Sequence, residues 1–230
     1  MRKMKKILRT WLMWGFPLVA LMSGLTPLWM SEARAEAKPS LAILPFLVER
    51  VEDPGRGAVC PICKRVSGKG DISPGSQNTL ARLLQEKVEA IGTFKVLPFE
   101  KVEEAFSQTD KREYEIKFMR SSIQLGKSLN MDFVFVGYLF RFVERIGSHW
   151  GAERPASVGF DIHLIRLRDE KMVWEGRFDE TQKPLSENLL KMGSFVRRKA
   201  SWLTAEELSS VGMDEMLKRF PGPKELEEIP

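Results

Sequence analysis

Two neighbouring stretches limit the possible folds more than any other part of the 230-residue chain: "ASVGFDIHLIRL" and "KMVWEGRFDE", joined by "RDEK". In the first, Val158, Phe160, Ile162 and Leu164 alternate with Gly159, Asp161 and His163. Residues two apart point to the same side of a strand, so this pattern makes one face apolar and the other polar. The second stretch repeats the alternation with Met172, Trp174 and Phe178, and the short link between them predicts an antiparallel hairpin. His163 falls on the polar side and reads as a solvated histidine. A hairpin with one apolar face has to bury that face against further elements.

The preceding sequence supplies them. "MDFVFVGYLFRFVERIG" reads as a strand apolar on both faces that turns polar at Arg141, Glu144 and Arg145. The run from Leu41 to Val48 in "LAILPFLVER" reads as a buried strand, with a bend or loss of pairing at Pro45. Leu80, Leu83, Leu84, Val88 and Ile91 recur at helical spacing before Gly92. A short strand over Phe94–Leu97 follows, then a helix from about Phe99, then an amphipathic helix in "REYEIKFMRSSIQLGKSLN". Near the end, Thr204 and Glu207 are spaced as a capping box, with Leu203 and Leu208 placed as its hydrophobic staple. Pro221 should stop this last helix and leave a frayed tail over 221–230. The expected class is α/β (α+β): a mixed sheet of about five strands with helices packed on it, ending in an antiparallel hairpin and a capped helix.

The N-terminus carries Arg2, Lys3, Lys5, Lys6 and Arg9, then an uncharged, mostly apolar run from Thr10 to Ser31, then Ala33-Arg34-Ala35. This is the layout of a secretory signal over 1–35, cleaved after Ala35. A retained membrane anchor is the competing reading, since the run approaches the roughly 20 residues a span needs, but Pro17, Gly24 and Pro27 interrupt it. Of 36 basic and 31 acidic residues, the segment removes six and one, leaving 30 of each. The mature chain is therefore near neutral, and its basic pI gives no argument for nucleic acid or an anionic surface. No cysteine lies near Ala35, so the expected product is an exported single domain over 36–220 rather than a lipoprotein.

Both cysteines, Cys60 and Cys63, stand in "GAVCPICKRVSGKG", inside a glycine- and proline-rich loop at 51–77. One Cys-x-x-Cys knuckle is half of a zinc site, which needs about four ligands. His149 and His163, the only histidines, could complete it if the chain brought all four together. A redox pair would want the N-terminus of a helix, which the loop does not provide. A local disulfide or an inert pair is the simplest alternative. Neither histidine has the setting of a hydrolase triad, no phosphate-binding glycine motif links a strand to a helix, and no cofactor other than zinc is indicated. His149 and Trp150, in a loop between two strands, read as a partner-binding surface.

Several short motifs recur in one order: Leu44-Pro45-Phe46, Phe94-Lys95-Val96-Leu97, Leu125-Gly126, Asp132-Phe133-Val134-Phe135-Val136-Gly137, then a hairpin with Val173-Trp174-Glu175-Gly176. Over residues 41–180 this order resembles a group of bacterial envelope domains that includes the amino-terminal domain of TolB, the curli secretion channel protein CsgG and the LpoB-type activators of peptidoglycan synthases. The resemblance implies a small, non-enzymatic α/β domain in the periplasm that binds envelope proteins, compatible with peripheral membrane association and with no role for nucleic acid. The chain departs from the group in lacking a lipid-attachment cysteine, in the long Cys-bearing loop, and in the extension from Pro184.

Overall fold

The computed structural model describes residues 38–49, 57–183 and 201–229. The signal segment expected over 1–35, residues 50–56 of the Cys-bearing loop, and residues 184–200 of the extension that begins at Pro184 lie outside the described residues.

The sheet grows outward from one long central strand. β1 (Ser40–Ile43) and β2 (Leu47–Val48) both pair in parallel with β6 (Phe133–Val143), through Leu41 opposite Phe133 and Leu47 opposite Tyr138. The gap between them is Leu44-Pro45-Phe46, where proline has no N–H to give to a ladder. β5 (Lys95–Val96) flanks β1 in parallel. On the other side β9 (Ser157–Arg166) and β10 (Lys171–Thr181) add as the expected antiparallel hairpin, giving the order β10-β9-β6-β1-β5 with β2 as the sixth strand.

Alternation in the central strands feeds two cores. Leu41, Ile43, Phe133, Phe135, Phe160 and Ile162 face one layer with α1 (Ser76–Ile91) and α5 (Ala205–Leu217), which contribute Leu80, Leu84, Val88, Leu208 and Met213. Ala42, Leu44, Val134, Val136 and Ile165 face the opposite layer with α2 (Phe99–Ser107), α3 (Lys111–Ile116) and α4 (Phe118–Ser128). This two-sided covering is the reason "FVFV" carries no polar face. Burying a large apolar side chain contributes roughly 1.5–3 kcal/mol, so the two layers dominate the stability of the domain.

The structure departs from the sequence-based expectation in three places. The amphipathic helix expected through "REYEIKFMRSSIQLGKSLN" is broken at Lys117 (φ −111°, ψ 37°), where α3 gives way to α4. Asp110 caps α3, accepting from the backbone N–H of Arg112 and Glu113, and the rings of Tyr114 and Phe118 meet edge to face at 5.5 Å across the break. The tail expected to fray after Pro221 instead forms α6 (Pro223–Glu228), with Leu226 fully buried. Arg166 holds it by donating to the carbonyls of Leu226, Glu227 and Ile229 at 2.8, 3.1 and 2.7 Å. Third, His163 is not solvated: every residue of β9 is buried, and His163 and Asp161 are each 1% exposed. The capping box of α5 is formed as read, with Glu207 N donating to Thr204 Oγ1 at 3.1 Å and Thr204 N donating to Glu207 Oε2 at 2.8 Å.

Candidate functional site

The polar side of β9 is covered by the Cys-bearing segment. There, β3 (Ala58–Val59) and β4 (Val66–Ser67) pair antiparallel as a two-stranded hairpin, and Ala58 and Cys60 join Tyr138 and Phe140 in a small core of their own. Six residues, Cys60 to Arg65, make the bend between the strands. Cys60 N donates to Arg65 O and Lys64 N to Cys60 O, both at 3.0 Å, and Lys64 adopts the left-handed conformation at φ 62°. This tight wrap turns the backbone N–H groups of Ile62 and Cys63 toward the Cys60 sulfur, where they hydrogen-bond to it.

The hairpin is fastened to the sheet by arginines. Arg177 donates to Val66 O at 3.1 Å and to Ser67 Oγ, Arg65 pairs with Glu175, and Arg141 donates to Gly68 O at 2.8 Å and to Ser157 Oγ at 2.7 Å. These contacts set the cysteines against β9. Cys60 Sγ lies 3.9 Å from His163 Nε2, Cys63 Sγ lies 3.8 Å from Asp161 Oδ2, and the ligating atoms of Cys60, Cys63 and His163 all fall within 4.8 Å of one another. Both cysteines are free thiols, Cys60 buried and Cys63 partly exposed.

Burial dominates the electrostatics of this group. It pushes the Cys60 thiol up to about 12 against the opposing backbone N–H groups, and pushes His163 down to about 4, so the imidazole is neutral near pH 7. Burial also raises Asp161, with Arg177 acting in the other direction from 3.7 Å between Nε and Oδ1. Asp161 Oδ1 and His163 Nδ1 have no hydrogen-bond partner. Two soft sulfur donors, a neutral imidazole and a carboxylate facing one another suit metal ligation or thiol chemistry.

Of the residues singled out from the sequence, Cys60, Cys63 and His163 converge, and His149 does not join them. His149 and Trp150 sit at the tip of a separate hairpin, β7 (Ile146–Gly147) with β8 (Ala152–Arg154). Trp150 is 85% exposed, its ring edge-on to His149 at 5.1 Å. Ser148 Oγ accepts from the N–H of Trp150 and Gly151 at 3.2 and 3.1 Å, and Ser148 N donates to Gly151 O at 2.8 Å. Trp202, half-buried just before α5, ties this hairpin down by donating its N–H to His149 O at 3.0 Å, while Arg145 donates to Trp202 O. Asp161 is the site residue that sequence reasoning did not select. Its signal was its place two residues before His163, on the same face of the strand.

No family model matches the chain, and no curated protein matches it. Among solved structures it is similar to the PelC dodecamer from Paraburkholderia phytofirmans, at 12% identity and a TM-score of 0.43, covering 80% of this chain and 88% of that one. It is similar also to lipoprotein GNA1162 from Neisseria meningitidis, at 18% identity and 0.40, covering 70% and 96%. A third is the LpoB C-terminal domain from Salmonella enterica, at 10% identity and 0.38, covering 64% and 84%. LpoB is one of the protein types that the motif order resembles.

Proposed function

We propose that this protein is an exported, non-enzymatic module of a bacterial cell envelope that captures or positions another envelope protein. One observation carries the reading: Trp150 is 85% exposed on a hairpin tip whose backbone is fixed by Ser148 and anchored through His149 to Trp202. An exposed tryptophan on a fixed backbone gives a large contact area and loses little conformational freedom on binding, which is the character of an interface anchor. Two sequence features support the setting, namely the signal-type N-terminus and the balanced charge left once it is removed. Among the described residues no helix is long and apolar enough to cross a membrane.

The test places a photo-crosslinking residue at Glu153, beside the tip, in cells that export the protein. A single discrete protein adduct is expected, and Trp150→Ala should reduce it about 30-fold, the loss of an anchor contributing about 2 kcal/mol. An adduct of the same intensity with Trp150→Ala, or no adduct, would exclude the tip as the capturing surface. N-terminal sequencing should begin at Glu36. An intact Met1 would exclude cleavage.

A further inference from the structure

We propose that Cys60, Cys63 and His163 form a binding site for one zinc-class divalent cation, with Asp161 beside Cys63 as the nearest carboxylate to complete it, and that the ion clips the β3–β4 hairpin onto the face of the sheet. Geometry is the first argument. Zinc–sulfur bonds of about 2.3 Å and zinc–nitrogen bonds of about 2.0–2.1 Å in a tetrahedron put neighbouring ligand atoms roughly 3.5–3.8 Å apart. The separations here are 3.9 Å from Cys60 Sγ to His163 Nε2 and 3.8 Å from Cys63 Sγ to Asp161 Oδ2. The Cys60–His163 pair is therefore within a few tenths of an ångström of the spacing a shared ion needs, and the three ligand atoms of Cys60, Cys63 and His163 already fall within 4.8 Å of one another.

The backbone is the second argument. Cys-Pro-Ile-Cys is wound so that two N–H groups point at the first sulfur, with Lys64 closing the turn in the left-handed region. N–H groups aimed at a sulfur stabilise a thiolate, the form that binds metal. A Cys60–Cys63 disulfide would leave His163 Nε2 and the Asp161 carboxylate facing sulfurs that can no longer become thiolates to share a cation with them. On the side facing the sulfurs, His163 Nε2 and Asp161 Oδ2 have only the cysteine thiols beside them, weak partners for a buried imidazole and carboxylate. A cation would give Cys60 Sγ, Cys63 Sγ and His163 Nε2 a common partner, with the Asp161 carboxylate beside it. Two thiolates, one carboxylate and a divalent cation leave one negative charge, with Arg177 at 3.7 Å from Asp161 and Arg65 in the same turn to balance it.

Ligand type and burial select the class of ion. Two thiolates and an imidazole favour zinc over the oxygen-seeking calcium and magnesium. With Cys60 and His163 buried and Asp161 buried beside Cys63, the site lies under the hairpin, the setting of a structural ion rather than of one that takes a substrate. The site is separate from the Trp150 tip, so its failure would leave the reading of the tip untouched.

The experiment uses the purified full-length processed chain, reduced and stripped of metal, and titrates it with cobalt(II) and then zinc(II). One cobalt per chain is expected, with sulfur-to-cobalt charge-transfer absorption and the intense visible bands of tetrahedral coordination, and one equivalent of zinc should displace it. Cys60→Ser with Cys63→Ser should abolish the absorption. His163→Gln should weaken cobalt binding by about 100-fold or more, beyond the 10–100-fold typical of an outer-shell change. Since His163 is in the core, Cys63→Ser, at a partly exposed position, is the second variant, and it should reduce the charge-transfer absorption by about half, one thiolate remaining, while circular dichroism shows an intact fold. Octahedral cobalt spectra without charge transfer, binding that survives the double cysteine change, or a folded His163→Gln with unchanged affinity would each overturn the site.

Discussion

Gly137 shows how one residue ties two distant motifs together. It ends the "DFVFVG" stretch on β6, and a methyl group added there would lie 2.3 to 2.5 Å from ring atoms of Phe46, the residue after Pro45. Real Cβ atoms do not approach that closely, so the Phe46 ring fills the space that a side chain at 137 would need. The proline break between β1 and β2 brings Phe46 to that position, where its ring also meets Phe160 edge to face at 5.9 Å. Pro45-Phe46, which opens the motif order, and Val136-Gly137, near its end, are thus two halves of one contact. Gly137→Ala should destabilise the domain by about 2–3 kcal/mol through overpacking, read as a lower midpoint in urea with an unchanged slope. Adding Phe46→Leu should return part of the loss, because the two positions are coupled. Additive effects of the two changes would refute the contact.

At the scale of elements, Arg166 on β9 decides whether the C-terminal segment is part of the domain. Its guanidinium is buried, paired with Asp169 at 2.6 Å, and donates to three carbonyls of the α6 segment. Arg166→Met should free α6 at a local cost of about 2–4 kcal/mol, visible as new proteolytic cleavage near Leu226 while the rest of the chain stays resistant. Unchanged resistance there would mean that Leu226 alone holds the helix. Acid should act in the same direction. Hydrogen bonding from Arg166 holds the Asp169 carboxyl down to about 2, so the stabilisation from this pair is complete above about pH 4 and fades as the pH falls toward 2. This docking could not be read from "GPKELEEIP", because what orders that segment is a partner about 60 residues earlier in the chain. The burial of Asp161 and His163 is the same case: alternation correctly put them opposite Phe160 and Ile162, but what covers that face is a hairpin about 100 residues away. By contrast β6, β9, β10, α1 and α5 were legible, since periodicity, a glycine stop and a capping box are all local. The break at Lys117 was hidden because Tyr114 and Phe118 keep helical spacing across it.

Taken as a whole, the domain is a doubly covered sheet with two small hairpins added to it, and stability should be distributed accordingly. Residues 133–140 of β6 and 157–166 of β9 are buried without exception, and the two strands lie side by side in the middle of the order β10-β9-β6-β1-β5. No amide there can reach water without separating layers that both faces hold closed. Their hydrogen exchange should therefore report global unfolding, with a steep dependence on denaturant and free energies near the 5–15 kcal/mol of an ordinary domain. The β7–β8 hairpin is different, since its strands are two and three residues long and Ile146 and Trp150 are exposed. Its anchorage is a few hydrogen bonds to Trp202, so residues 146–154 should open locally, several kcal/mol below the core and with little dependence on denaturant. The β3–β4 hairpin separates the two kinds of behaviour. Without metal its two-residue strands should exchange in the local class, whereas with one zinc bound its amides should move toward the global value, because opening the hairpin would then require breaking the coordination. Native-state exchange measured with and without zinc tests both assignments at once. Protection of Ala58 to Ser67 that ignores zinc would count against the clip, and exchange of residues 146–154 only through global unfolding would show that the tryptophan tip belongs to the core.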